Sequence, residues 1–151
     1  MNWRAWQMSS VILLVEDNED HAEIIKQLLG GDEVEKEIYW AKDGQEALDF
    51  VHHTGAHANA PRPSLIILDL NLPKASGMDV LKELKEDNDL KVIPVVMLTT
   101  SDRNEEMLKC YRLGANSFIT KPARFDDYME KLQSLERYWL HTNREPQYDR
   151  A

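Results

Sequence analysis

The sequence predicts an α/β fold, a doubly wound parallel sheet of five strands with helices on both faces. Three observations predict it. Apolar runs of four to six residues alternate with amphipathic stretches of about ten or more, the signature of β-α units. The runs end abruptly in polar residues with complementary chemistry: Glu16-Asp17, Asp69, Thr99-Thr100 and Lys121. The chain has 151 residues, enough for one domain with a proper core.

Residues 1–10 are polar apart from Trp3, Trp6 and Met8 and read as a leader. Strand one spans 11–15. Asn18 caps a helix over 19–29 with Ile25, Leu28 and Leu29 on one face, and Gly30-Gly31 stops it. Strand two spans 37–41, and Asp43-Gly44 turns the chain into a helix over 45–53 with Ala47, Leu48 and Val51 inward. A long polar loop, 52–63, precedes strand three at 65–69. A helix over 76–87 buries Val80, Leu81 and Leu84. Pro94 leads into strand four, 93–98. The next helix, 103–113, presents Met107, Leu108 and Tyr111, and Gly114 closes it. Strand five spans 116–120. From Phe125 an apolar stripe (Phe125, Tyr128, Met129, Leu132, Leu135, Trp139) marks the last helix. The expected organisation is a leader at 1–10, a domain at 11–140 with an extended last helix, and a polar tail at 141–151.

Composition excludes several function classes. With 27 acids against 18 Lys and Arg, the net charge is -9, which opposes nucleic acid and anionic membranes as partners. No apolar stretch approaches the ~20 residues that span a bilayer, and residues 1–10 lack a signal peptide's apolar region. A cytoplasmic protein is the expectation. The single cysteine, Cys110, permits no internal disulfide and reads as a buried, inert thiol.

Parallel strands would bring the polar run ends to one sheet edge, where doubly wound folds bind ligands. Mg²⁺ takes hard oxygen ligands and keeps waters, so two or three carboxylates suffice. Asp17 and Asp69 can ligate directly, Glu16 through water, and the Asn71 backbone carbonyl can add another oxygen. Lys121 and the Thr99 hydroxyl can meet phosphoryl oxygens, which makes Asp69 a nucleophile for an aspartyl phosphate. Each residue alone has a plainer reading as a turn acid, a cap, a β-former or a loop lysine. Their coincidence at four strand ends favours the site.

These segments resemble the receiver domains of two-component response regulators. The matching motifs are Leu-Val-Glu-Asp-Asn (14–18), Leu-Asp-Leu-Asn-Leu-Pro with Gly77 (68–73), Leu-Thr-Thr-Ser (98–101) and Lys-Pro (121–122). The resemblance covers about residues 11–136. It implies a flavodoxin-like sheet ordered 2-1-3-4-5, with Asp69 as phosphoacceptor and Glu16 and Asp17 as acids for Mg²⁺ (or Mn²⁺). It further implies Thr99 and Phe118 as the switch pair, Lys121 as the phosphate-binding lysine and a cis Lys121-Pro122 bond. The loop with Asn59-Ala60-Pro61-Arg62-Pro63 and the final Tyr138-Trp139-Leu140 are similar to small single-domain regulators of bacterial phytochrome-type histidine kinases. That implies a histidine kinase as phosphodonor and a protein or phosphotransfer partner as output. Tyr138 and Trp139 are candidate interface residues for a partner or a homodimer. Such a protein is not an enzyme acting on a free substrate. A rival exists in Mg-dependent phosphatases with an Asp-x-Asp motif, but the second position here is Asn71, which cannot act as an acid. A nucleotide-binding module is disfavoured by the lack of a glycine-rich loop after strand one.

Overall fold

The computed structural model describes residues 10–30 and 36–146. The expected leader, with Trp3 and Trp6, lies outside the described residues apart from Ser10. So do Gly31 and residues 147–151 of the expected tail.

Five parallel strands form one sheet in the order β2-β1-β3-β4-β5. They are β1 (Ser10–Val15), β2 (Lys36–Ala41), β3 (Leu65–Leu68), β4 (Val95–Thr99) and β5 (Ser117–Thr120). The intervening helices are α1 (Glu19–Gly30), α2 (Gly44–His52), α3 (Gly77–Glu86), α4 (Asn104–Leu113) and α5 (Phe125–Glu136). Each strand falls within two residues of its expected bounds.

Side chains alternate across a strand, and the three central strands divide their apolar residues accordingly. Leu13, Val15, Ile66, Leu68, Val95 and Met97 pack under α2, α3 and α4. Ile12, Leu14, Leu65, Ile67, Val96 and Leu98 pack under α1 and α5. Both faces of the sheet are therefore covered, as the continuous apolar runs require.

The helix starts follow local chemistry. Asn18 Oδ1 accepts from the His21 N–H and caps α1. Asp43 caps α2 through the Glu46 N–H. Ser76 and Asp79 form a reciprocal capping box on α3. Gly114 ends α4 at φ 109°, in the left-handed region.

Two features depart from expectation. On α4, only Cys110 is buried, and Leu108 and Tyr111 are exposed. At 100° per residue the covered face is Met107, Cys110 and Leu113, and Leu108 and Tyr111 point away from it. Burial pushes the Cys110 thiol up to about 11, in keeping with an inert sulfur. Second, no peptide bond among the described residues is cis, so Lys121-Pro122 is trans. Proline's tertiary amide favours trans by about 0.5–1 kcal/mol, and the lysine reaches its partners from that isomer. The expected loop at 52–63 is pinned to the body of the fold. It holds a 3₁₀ turn at Gly55–His57, buries Pro63, and Arg62 donates to the Asp89 carbonyl at 2.5 Å. Past α5 the chain continues through a π-helical turn, Arg137–Thr142, and Glu145 accepts from Ser10 at 3.4 Å.

Gly77 allows the β3–α3 loop to close on itself. A Cβ there would lie 2.1 Å from the Asp69 carbonyl oxygen and 2.6 Å from Leu70 Cα. Both are backbone atoms, so the chain itself must move. Gly77→Ala is expected to lower the midpoint of thermal unfolding by roughly 4–10 °C, from an overpacking cost of about 1–3 kcal/mol. Calorimetry checks this, and a midpoint equal to wild type would show that the loop yields freely.

Candidate functional site

Strand register builds the site. Val15 lies opposite Leu68 across the β1–β3 pair, so the next residues, Glu16 and Asp69, emerge side by side. Thr99 lies opposite Thr120 across β4–β5, and the Lys121 N–H donates to the Thr99 carbonyl at 2.6 Å. Sheet order reverses between β1 and β3, the position at which doubly wound folds place ligands.

Lys121 stands at the centre. Its Nζ donates to Glu16 Oε2 at 2.5 Å and to Asp69 Oδ2 at 3.1 Å. All three side chains are buried. Removing charges from water costs several kcal/mol per ion, so each needs partners on its remaining atoms. Glu16 Oε1 accepts from the Asn18 N–H, and Asp69 Oδ1 accepts from the Asn71 N–H. Burial nevertheless pushes the Glu16 carboxyl up to about 7, against the pull of Lys121.

Asp17 is exposed to solvent. Glu16, Asp17 and Asp69 each offer a carboxylate oxygen, and these oxygens lie within 4.8 Å of one another. With Glu16 ionised, three carboxylates against one ammonium leave two negative charges in excess, which matches one divalent cation. Thr99 is fully buried, and its Oγ1 accepts from the Ser101 N–H at 3.3 Å, which leaves the hydroxyl proton to donate. Phe118 is half-buried and packs against the α2–α4 side of the core. Tyr138 and Trp139 stand apart from this cluster, on the turn beyond α5.

Some neighbours were not foreseen from sequence. His21 Nδ1 lies 3.1 Å from Lys121 Nζ and takes its third proton direction. Burial, then the Lys121 charge, lowers the imidazole pKa. The signal was the Asn18 cap, which places His21 in the first turn of α1. Thr120 donates to the Ser101 carbonyl at 3.0 Å, and Ser101 bonds Glu106, so the loop after β4 is tied to β5 and α4. The Trp40 indole donates to the Glu16 carbonyl at 2.7 Å.

Comparison with known proteins agrees with this geometry. The response regulator receiver domain family matches residues 12–133. The chain belongs to that family. It is 41% identical over 132 residues to response regulator Rcp1 of Synechocystis sp., covering 87% of this chain and 90% of Rcp1. The crystal structure of Mn²⁺-bound Rcp1 superposes with a TM-score of 0.89 at 40% identity, over 91% of this receiver and 99% of Rcp1. That of the phosphorylated cyanobacterial phytochrome response regulator RcpA gives 0.90 at 40% identity, over 93% of this receiver and 100% of RcpA.

The charge excess yields a test on the receiver. Without metal, Asp17→Asn relieves repulsion and is expected to raise the unfolding midpoint by about 2–4 °C. Mg²⁺ at ~100 times its Kd should stabilise the wild type by about 2.7 kcal/mol and leave the variant nearly unmoved. Thermal melts with and without MgCl₂ decide this. A variant that melts at or below wild type in metal-free buffer would contradict the excess charge.

Proposed function

We propose that Asp69 accepts a phosphoryl group from the phosphohistidine of a histidine kinase, and that this modification is the signal. The observation that carries the reading is the placement of Lys121 between Glu16 and Asp69, with Asp17 open to solvent beside them. The relatives support it: Rcp1 has been crystallised with Mn²⁺ and RcpA in a phosphorylated state.

Glu16, Asp17 and Asp69, with the Asn71 backbone carbonyl, would hold Mg²⁺ or Mn²⁺. The donor set fits, being all hard oxygen with one acid in water. When bound, the cation offsets the repulsion between a carboxylate and an anionic phosphoryl group. The remaining work belongs to the chain. An Asp69 carboxylate oxygen forms the new O–P bond as the N–P bond of the phosphohistidine breaks, and the imidazole leaves with the electron pair. Lys121 and the Thr99 hydroxyl neutralise and orient the phosphoryl oxygens. Thr99 is drawn toward the phosphoryl group, and the Phe118 ring turns inward behind it. The face formed by α4, β5 and α5 thereby changes. Asn71 and Thr100 border the site and govern access of hydrolytic water. No free substrate is turned over beyond the receiver's own phosphorylation and dephosphorylation.

A phytochrome-type kinase is the proposed donor, on the strength of the similarity to RcpA. Output passes to a protein or phosphotransfer partner in the cytoplasm, where kinases draw on ATP. A homodimer is proposed through the extension of α5. Tyr138 is exposed, and its ring meets Trp139 edge-on at 5.0 Å. Both residues line a groove of about 510 Å³ that also includes Phe118, Thr120 and Lys131. Trp139 is half-buried against the α1–α5 layer of the core, so Tyr138 offers the exposed ring, and aromatic residues are enriched at protein interfaces.

Incubation with acetyl phosphate and Mg²⁺, followed by intact mass, should show one added phosphoryl group. EDTA and Asp69→Asn should each abolish it. An adduct that persists in Asp69→Asn would sink the assignment. For the dimer, light scattering on Trp139→Ala and Tyr138→Ala should report a smaller assembly than wild type, and an unchanged mass in both would remove these residues as anchors.

A further inference from the structure

Trp40 occupies the penultimate position of the edge strand β2, where its side chain packs on the α1–α5 side of the sheet. Its indole does more than fill space. The Nε1–H donates to the Glu16 carbonyl oxygen at 2.7 Å, across 24 residues of sequence. The Glu16 N–H in turn donates to the carbonyl of Ala41, the residue after Trp40, at 3.1 Å. Two consecutive residues of β2 therefore grip Glu16 from both of its peptide groups. The carbonyl that Trp40 holds belongs to the Glu16-Asp17 peptide, and a peptide is planar. Fixing that carbonyl fixes the plane from which the exposed Asp17 carboxylate springs. The ring itself is clamped, with Lys26 Nζ 4.8 Å and Lys42 Nζ 5.3 Å from its centroid, both within cation–π range.

We propose that Trp40 is a positioning residue for the divalent-cation site, acting through the Glu16-Asp17 peptide. This rests on the reading that Glu16, Asp17 and Asp69 hold a cation. Asp17 is otherwise exposed on a turn, so without the indole bond its carboxylate samples more orientations, and ordering it becomes a cost of binding. Phe retains the flat ring for Lys26 and Lys42 and removes only the donor and part of the bulk.

Mn²⁺ binding is measured by paramagnetic resonance or calorimetry on wild type, Asp17→Asn and Trp40→Phe, each held well below its unfolding midpoint. Wild type should bind and Asp17→Asn should not. Trp40→Phe should bind about five- to tenfold more weakly, while Phe or Tyr ring packing elsewhere and the fold are unchanged by circular dichroism. A lower unfolding midpoint with wild-type Mn²⁺ affinity would mean that Trp40 merely packs, and would overturn the inference. Failure of wild type to bind overturns the cation-site reading, and this inference with it. If Trp40→Phe does not fold, the wild-type indole N–H resonances decide: Mg²⁺ should shift that of Trp40 more than the other three, and an unmoved Trp40 resonance overturns the inference.

Discussion

A single ammonium group, that of Lys121, makes the upper edge of this sheet tolerable. Two carboxylates, Glu16 and Asp69, are buried beside one another at the ends of neighbouring strands. Without a cation between them they would repel in a medium that screens poorly. Lys121 touches both. Breaking such a buried set by removing one partner costs about 3–5 kcal/mol in comparable cases. The arrangement is nonetheless incompletely compensated, because burial lifts the Glu16 carboxyl to about 7 even with Lys121 in contact. The resting site thus retains a demand for positive charge, and Asp17 leaves the door to solvent open.

The rest of the fold holds that edge in place. Register sets which residues emerge together, and the two apolar layers set the register, since a slip of one residue would exchange core and solvent faces. The β3–α3 loop is under particular constraint. Gly77 lies against the Asp69 carbonyl with no room for a side chain, and Lys74 adopts φ 70°. A non-glycine residue in that region costs of order 1–3 kcal/mol. The loop that follows the proposed phosphoacceptor therefore carries backbone strain, as does His53 beyond α2 at φ 58°.

Much of this was legible in the sequence because parallel strands announce themselves. A buried strand is apolar on both faces, so where the run stops, the strand end is marked. Glu16, Asp69 and Thr99 were each found as the first polar residue at such a stop, and Lys121 as the residue that follows the short, mixed run ending at Thr120. Helix faces were harder. The ten residues of α4 contain two apolar stripes, and periodicity does not say which one a neighbour covers. The answer depends on the core beneath, which takes up Cys110 and Leu113 and leaves Leu108 and Tyr111 exposed. Contacts made by polar tips were harder still. His21 reaches Lys121 across 100 residues, and Trp40 reaches a backbone carbonyl. No residue type or spacing encodes a bond to a peptide oxygen. The trans Lys121-Pro122 bond has the same origin, since sequence names the proline and not its isomer.

The bond between Lys121 and Glu16 spans 105 residues of chain. At about 5–20 residues per second of synthesis, Glu16 leaves the ribosome roughly 5–20 s, and Asp69 roughly 3–10 s, before the lysine that reconciles them. Until then the nascent β1–β3 pair carries an uncompensated negative cluster that resists closing. The last strand to be made supplies the missing charge. A truncated or half-made chain therefore lacks a finished phosphorylation site and is mute toward a kinase, so that competence to receive a message is conferred only when the whole sheet has assembled.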